Sequence, residues 1–162
     1  NLMVKNNKNL LIKLILLISI IALISAFFIE YILGHQPCNL CILERIPYFL
    51  AIIVILLNYK FIEFEKFFIL FLTIIFLFGT VLSLYHLGIE QGLIQESLVC
   101  DLKSGSNLLS KEEILKQLQE KSVSCKDVTF KMFGLSLTSY NILISILITF
   151  SAGKIYFNYD KN

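Results

Sequence analysis

The sequence has no tryptophan, almost no net charge and no internal repeat, and each lack excludes something. A formal charge of +2 leaves no basic stripe and no interleaving of basic with aromatic residues, so nucleic acid is not an expected partner. Without a repeat or a low-complexity tail there is no basis for a solenoid or an array. Without Trp, the aromatic belt that membrane chains place at the headgroups has to come from 7 Tyr and 14 Phe, several near the ends of apolar runs.

What the chain has instead is apolar length. Hydrophobic residues make up 57% of 162 positions and the mean hydropathy is +0.78, well outside the soluble range. Four runs stand out, at about 10–29, 42–59, 67–87 and 133–157. The first contains only Lys13, within snorkelling distance of its end, and the second carries Glu44 and Arg45 in its first turn. At roughly 1.5 Å per residue each can cross a hydrocarbon core of about 30 Å. The expected fold is an all-α integral membrane protein, a four-transmembrane-helix bundle forming one domain over 1–162. The first run could pass for a signal peptide, but it is longer than an h-region. No small-x-small cleavage site follows Ala26, so a retained span is expected.

Orientation follows from Lys5, Lys8 and Lys13 before the first span, Lys60 and Lys66 between the second and third, and Lys154 and Lys161 after the fourth. These put both termini on the cytoplasmic side. Loops 30–41 and 88–132 then face outward, and all four cysteines fall in or beside them. An oxidising exterior makes disulfides the default there and a zinc site less expected. The second outer loop is too long for a connector. Within it, Ser110-Lys111-Glu112-Glu113 reads as a capping box, with Leu109 and Ile114 as a hydrophobic staple. A short amphipathic helix to about Glu120 should follow, with Ile114, Leu115 and Leu118 in one stripe.

Chemistry concentrates in Pro37-Cys38-Asn39-Leu40-Cys41-Ile42-Leu43-Glu44-Arg45. A C-x-x-C at the outer mouth of a span closes a small disulfide ring with the spacing used in redox exchange. Cys41 at a helix N-terminus would have its thiolate favoured by free amides, and Arg45, four residues on, would face that sulfur. Glu44 would oppose this unless it pairs with Arg45 or turns to solvent. Zinc is disfavoured because no second C-x-x-C exists, and haem attachment is excluded because Ile42 stands where His is required. Pro47 removes a donor in the first turns of the second span and should bend it.

Cys100 and Cys125 share the long loop. A bridge between them would stabilise it by about 3 to 4 kcal/mol. Alone it reads as a staple; beside an outward C-x-x-C it reads as one half of a thiol relay. Four cysteines allow three pairings, and the residues alone do not choose among them.

The string Cys38 to Arg45, the four spans and the order of the cysteine pairs resemble the disulfide bond formation protein B family, DsbB, over nearly the whole chain. The resemblance implies a bacterial inner-membrane enzyme that reoxidises a DsbA-like thioredoxin-fold partner and passes electrons to a membrane quinone, ubiquinone or menaquinone. It also implies the roles. The partner attacks a Cys100–Cys125 disulfide at Cys100, Cys125 attacks Cys38, and Cys41 is released as a thiolate against the quinone. Arg45 supports quinone and thiolate, and His86, at the outer end of the third span, lies near the quinone. His35 has only loop packing to recommend it. Two other readings compete: a vitamin K epoxide reductase type protein, in which the loop cysteines precede the C-x-x-C rather than follow it, and a structural or accessory four-span protein with inert disulfides.

Overall fold

The structure, a computed structural model, describes residues 2–95, 100, 124–126 and 130–159. Helix α1 runs over Leu2–Tyr31, α2 over Asn39–Leu43, α3 over Ile46–Lys60, α4 over Glu65–Glu90 and α5 over Leu137–Asn158. A 3-10 turn at Ile62–Phe64 joins α3 to α4, and strands β1 (Lys131–Met132) and β2 (Leu135–Ser136) form a two-stranded antiparallel hairpin before α5. Four helical segments, Lys8–Tyr31, Asn39–Lys60, Ile62–Glu90 and Leu137–Asn158, are long and apolar enough to cross a membrane. The chain is a multi-pass all-α membrane protein. The short helix expected at 110–120 lies outside the described residues.

Among the departures of the spans from the expected ranges, two have a clear local cause. The second span is not continuous from residue 42, because the helix is interrupted at Glu44 and Arg45 between α2 and α3. Pro47 sits in the first turn of α3, where its missing N–H is harmless, but it cannot carry the ladder back into α2. The fourth span begins at Leu137 rather than Phe133. Phe133 (φ 52°) and Gly134 (φ 81°) are the two central residues of the hairpin, a left-handed pair that matches the twist of the flanking strands. Ser136 then caps α5, its hydroxyl accepting from Ser139 N–H at 3.4 Å.

Polarity is inverted relative to a soluble bundle. Leu17, Ile24, Phe78 and Leu147 are exposed on the outside, as lipid contact permits, while Ser19, Ser83 and Ser145 are buried between helices. Small hydroxyl residues allow close helix approach. The hydroxyls of Thr73, Thr80 and Thr149 donate to carbonyls four residues back, so no donor is left to hydrocarbon at these sites. The apolar core joins Ile15 of α1, Ile55 of α3 and Leu72 and Phe76 of α4.

Helix α4 packs along α5, α3 lies against α4 and α1 against α3, whereas α1 and α5 touch only sparsely. At the end holding Lys8, the ammonium pairs with Glu65 at 2.5 Å and lies over the Tyr159 ring, while Tyr159 Oη donates to Glu65 at 3.2 Å. This ties α1, α4 and the end of α5 together. The cysteines occupy the opposite end.

Helix α3 approaches α4 closely at Gly79, where an added Cβ would stand 3.2 Å from Pro47 Cγ. Gly79→Leu should therefore destabilise the bundle by about 1 to 3 kcal/mol through overpacking. Gly153→Ala, whose Cβ would meet Thr73 Cγ2 at an ordinary 3.6 Å, should be tolerated. Thermal unfolding in detergent checks the contrast; equal shifts in midpoint would refute it.

Candidate active site

Cys38 is the N-cap of α2, in extended backbone (φ −72°, ψ 167°), and its Sγ accepts from Cys41 N–H at 3.2 Å. The two are joined as a disulfide with Cα atoms 5.1 Å apart. The helix-terminal amide expected to serve Cys41 thus serves Cys38. The reason is local: α2 starts at Asn39, so Cys41 is already its third residue and Cys38 is the cap.

Cys100 and Cys125 form the second disulfide, with Cα atoms 6.0 Å apart. Of the three possible pairings the fold therefore takes the C-x-x-C ring and the loop bridge. Both loop cysteines are buried with Cys38, Leu40 and Ile89 in one cluster, against which Cys41 packs. Asn39 Nδ2 donates to the Cys100 carbonyl at 3.3 Å, holding the loop bridge to the start of α2. The two disulfides are neighbours.

Helix α4 delivers His86, only 1% exposed, to the same cluster. Its Nδ1 lies 2.8 Å from Glu44 Oε1 and 3.2 Å from Thr138 Oγ1, and its Nε2 lies 3.5 Å from Cys38 Sγ. The Glu44 carboxylate can only accept, which assigns the ring proton to Nδ1 and leaves the Nε2 lone pair toward the sulfur. Glu90, one turn further along α4, has Oε1 3.7 Å from Nε2 and accepts from the Thr138 hydroxyl at 2.7 Å.

Glu44 neither pairs with Arg45 nor turns to solvent. It is buried, with Oε2 accepting from Asn141 Nδ2 at 3.0 Å. Asn141 also donates to Ser83 Oγ at 2.7 Å and accepts from the Tyr48 hydroxyl. A hydrogen-bonded chain therefore runs Tyr48–Asn141–Glu44–His86 through the bundle interior and ends beside Cys38 Sγ. Arg45 turns the other way, to Glu30 of α1 at 2.5 Å and over the Phe27 ring at 5.1 Å. It does not follow the straight i, i+4 line to Cys41, because the chain breaks between them.

Arg45 and Cys41 nonetheless share a wall. A cavity of about 490 Å³ lies in the gap between α1 and α5, bounded by Ile18, Ala22 and Ile29 of α1 and by Asn141 and Ile144 of α5. Cys41, Glu44, Arg45 and Tyr48 form its third side. His35, whose ring meets Phe130 edge-on at 5.4 Å, lines it near the loop end. His86 and Cys38 are absent from that lining and lie behind Cys41. Among the described residues, Glu90, Thr138, Asn141 and Tyr48 are site groups that motif reading missed, and Glu44, weighed there only as a charge near Cys41, is buried against His86. The available signal was a carboxylate inside an apolar run, together with the i, i+4 pair His86 and Glu90.

Compared with known proteins, residues 8–154 match the family described as disulfide bond formation protein DsbB. An uncharacterized protein of Rickettsia prowazekii (strain Madrid E) is 33% identical over 165 residues, covering 98% of this chain and 94% of that protein.

Proposed function

The chain belongs to the disulfide bond formation protein DsbB family, and from that premise we propose that it is a protein-dithiol:quinone oxidoreductase, acting as one unit over residues 1–162. Family membership makes it a disulfide-forming oxidoreductase of the bacterial inner membrane, and the Cys38–Cys41 pair fits a redox centre. The observation that carries the finer reading is the two-sidedness of that pair. Cys41 borders the cavity, while Cys38 packs against the loop disulfide.

The cavity suits a quinone. Its volume is within the ordinary range for small-molecule sites, and aliphatic side chains such as Ile18, Ile21 and Ile144 share its walls with polar groups that include Arg45 and His35. Its position between two sparsely packed helices suits a ligand that arrives from lipid. Arg45 would hold a ring oxygen, and Ile18, Ala22 and Ile144 would hold the apolar body. A quinone bound there supplies a two-electron, two-proton acceptor.

The chain's own residues move sulfur and protons. A thiolate of a DsbA-like thioredoxin-fold partner attacks Cys100, forming a mixed disulfide and releasing Cys125 as a thiolate. Cys125 then attacks Cys38, a Cys38–Cys125 bond forms, and Cys41 leaves as a thiolate facing the cavity. The partner's second thiol resolves its bond to Cys100, so the partner leaves oxidised. His86 Nε2 can hold a proton beside Cys38, with Glu44 fixing the ring. Both termini lie on the cytoplasmic side in this reading, which places the sulfurs outside.

The test is to follow quinone absorbance with the purified chain in detergent, a reduced thioredoxin-fold partner and a short-chain quinone. Turnover is expected; its absence would leave two inert disulfides. Arg45→Ala should raise the KM for quinone by about 10- to 100-fold, the worth of a charged hydrogen bond, while altering partner exchange much less. Equal effects on both would reduce Arg45 to a headgroup anchor.

A further inference from the structure

The donor atoms of Cys38, Cys41 and His86 all lie within 4.8 Å of one another. Their spacing is that of a metal site. With Zn–S near 2.3 Å and Zn–N near 2.05 Å at the tetrahedral angle, sulfur and nitrogen ligands stand about 3.5 Å apart. Cys38 Sγ and His86 Nε2 are 3.5 Å apart. Glu90 Oε1, 3.7 Å from the same nitrogen, stands outside this set of three, so the chain supplies three ligands and leaves the fourth tetrahedral position open.

The surrounding groups fit the same chemistry. Glu44 fixes the imidazole with Nδ1 protonated and Nε2 free, the carboxylate–histidine arrangement that orients metal-bound imidazoles. The Cys41 amide donates to Cys38 Sγ, which favours a thiolate there. Once the ring is opened, two thiolates would lie in a largely buried place, and a divalent cation bound to both neutralises them.

We propose that the reduced chain holds a thiophilic divalent cation of the zinc class at Cys38, Cys41 and His86. Occupancy requires the Cys38–Cys41 bond to be broken. A phosphine reductant breaks it with one water, becoming the phosphine oxide and leaving two thiols. Binding then releases two protons and forms two metal–sulfur bonds. The bound ion ties up both sulfurs, so it stops re-formation of the disulfide and arrests the centre in its reduced state. Soft thiolate ligands select zinc or cadmium over magnesium or calcium.

The experiment uses the full chain in detergent with Cys100→Ser and Cys125→Ser, so that one cysteine pair remains. Anaerobic protein, phosphine-reduced or left oxidised, competes for Zn²⁺ with a chromophoric chelator. In parallel, Co²⁺ is added and its thiolate charge-transfer and visible bands are recorded. One ion per reduced chain, none per oxidised chain and an intense tetrahedral Co²⁺ spectrum are expected. Glu44→Gln should weaken binding about 10- to 100-fold, and His86→Ala by at least as much. Equal occupancy of the reduced and oxidised chains would overturn the site, as would undiminished affinity in His86→Ala. If His86→Ala does not fold, the redox comparison and the Co²⁺ spectrum on the parent chain still decide. Metal occupancy is read without quinone, so the site and the quinone reading fail separately.

Discussion

Cys41→Ser should bring quinone consumption down by about a thousand-fold or more, the scale on which loss of a covalent catalytic group is felt. The serine hydroxyl neither leaves as a stable anion nor forms a bond to Cys38. The electron pair then has no carrier at the cavity wall, which Cys41 supplies and Cys38 does not. Folding should survive, because the substituted side chain is partly exposed and smaller than the original. Cys38, left without its partner, should instead exchange into the loop bridge and free one loop thiol, a change that peptide mapping of the disulfide reads at unchanged total mass. Quinone consumption equal to that of the parent chain would end the oxidoreductase assignment of this pair.

The second large effect is selective rather than total. In a chain carrying both Cys100→Ser and Cys125→Ser, turnover driven by a reduced thioredoxin-fold protein should fall by about a hundred-fold or more, since an intramolecular thiol is replaced by none. Reduction by a small dithiol such as dithiothreitol should persist. Cys38 is only 5% exposed and is packed behind the loop bridge, so a protein thiol cannot reach it directly while a small one can. Measuring quinone absorbance with each reductant separates the two. If both rates fell together, the loop bridge would be a staple that holds the centre's shape. If neither fell, the protein partner would act on Cys38 itself.

Spans, cysteine order and the arginine were all visible in the sequence because each rests on local pattern: hydropathy over some twenty positions, or spacing within one motif. What was not visible depends on where the chain breaks. On a straight helix Arg45 would stand above Cys41 and Glu44 would look outward. The interruption before Pro47 rotates Glu44 inward to His86 and Arg45 outward to Glu30. Neither partner is near in sequence: His86 is 42 positions from Glu44, and Asn141 is 97. The fourth span was started too early for the opposite reason. Phe133 is apolar enough to join the run, and only the left-handed backbone at Phe133 and Gly134, with the Ser136 cap, takes it out. His86 shows how burial decides between roles. The resemblance implies for it a place near the quinone, and the fold sets it against Cys38 and behind the cavity wall.

The C-x-x-C ring is only four residues wide, yet its two sulfurs look into unlike surroundings, one toward the loop bridge and one toward the gap between α1 and α5. In the function proposed above, the features that choose a protein dithiol and those that choose a lipid-soluble oxidant would be carried by different stretches of chain, meeting at Cys38 and Cys41. Substitutions can accumulate in the outer loop as its partner changes without disturbing the helices that line the gap, and the reverse also holds. A lineage could exchange its respiratory carrier, or the protein it recharges, one at a time.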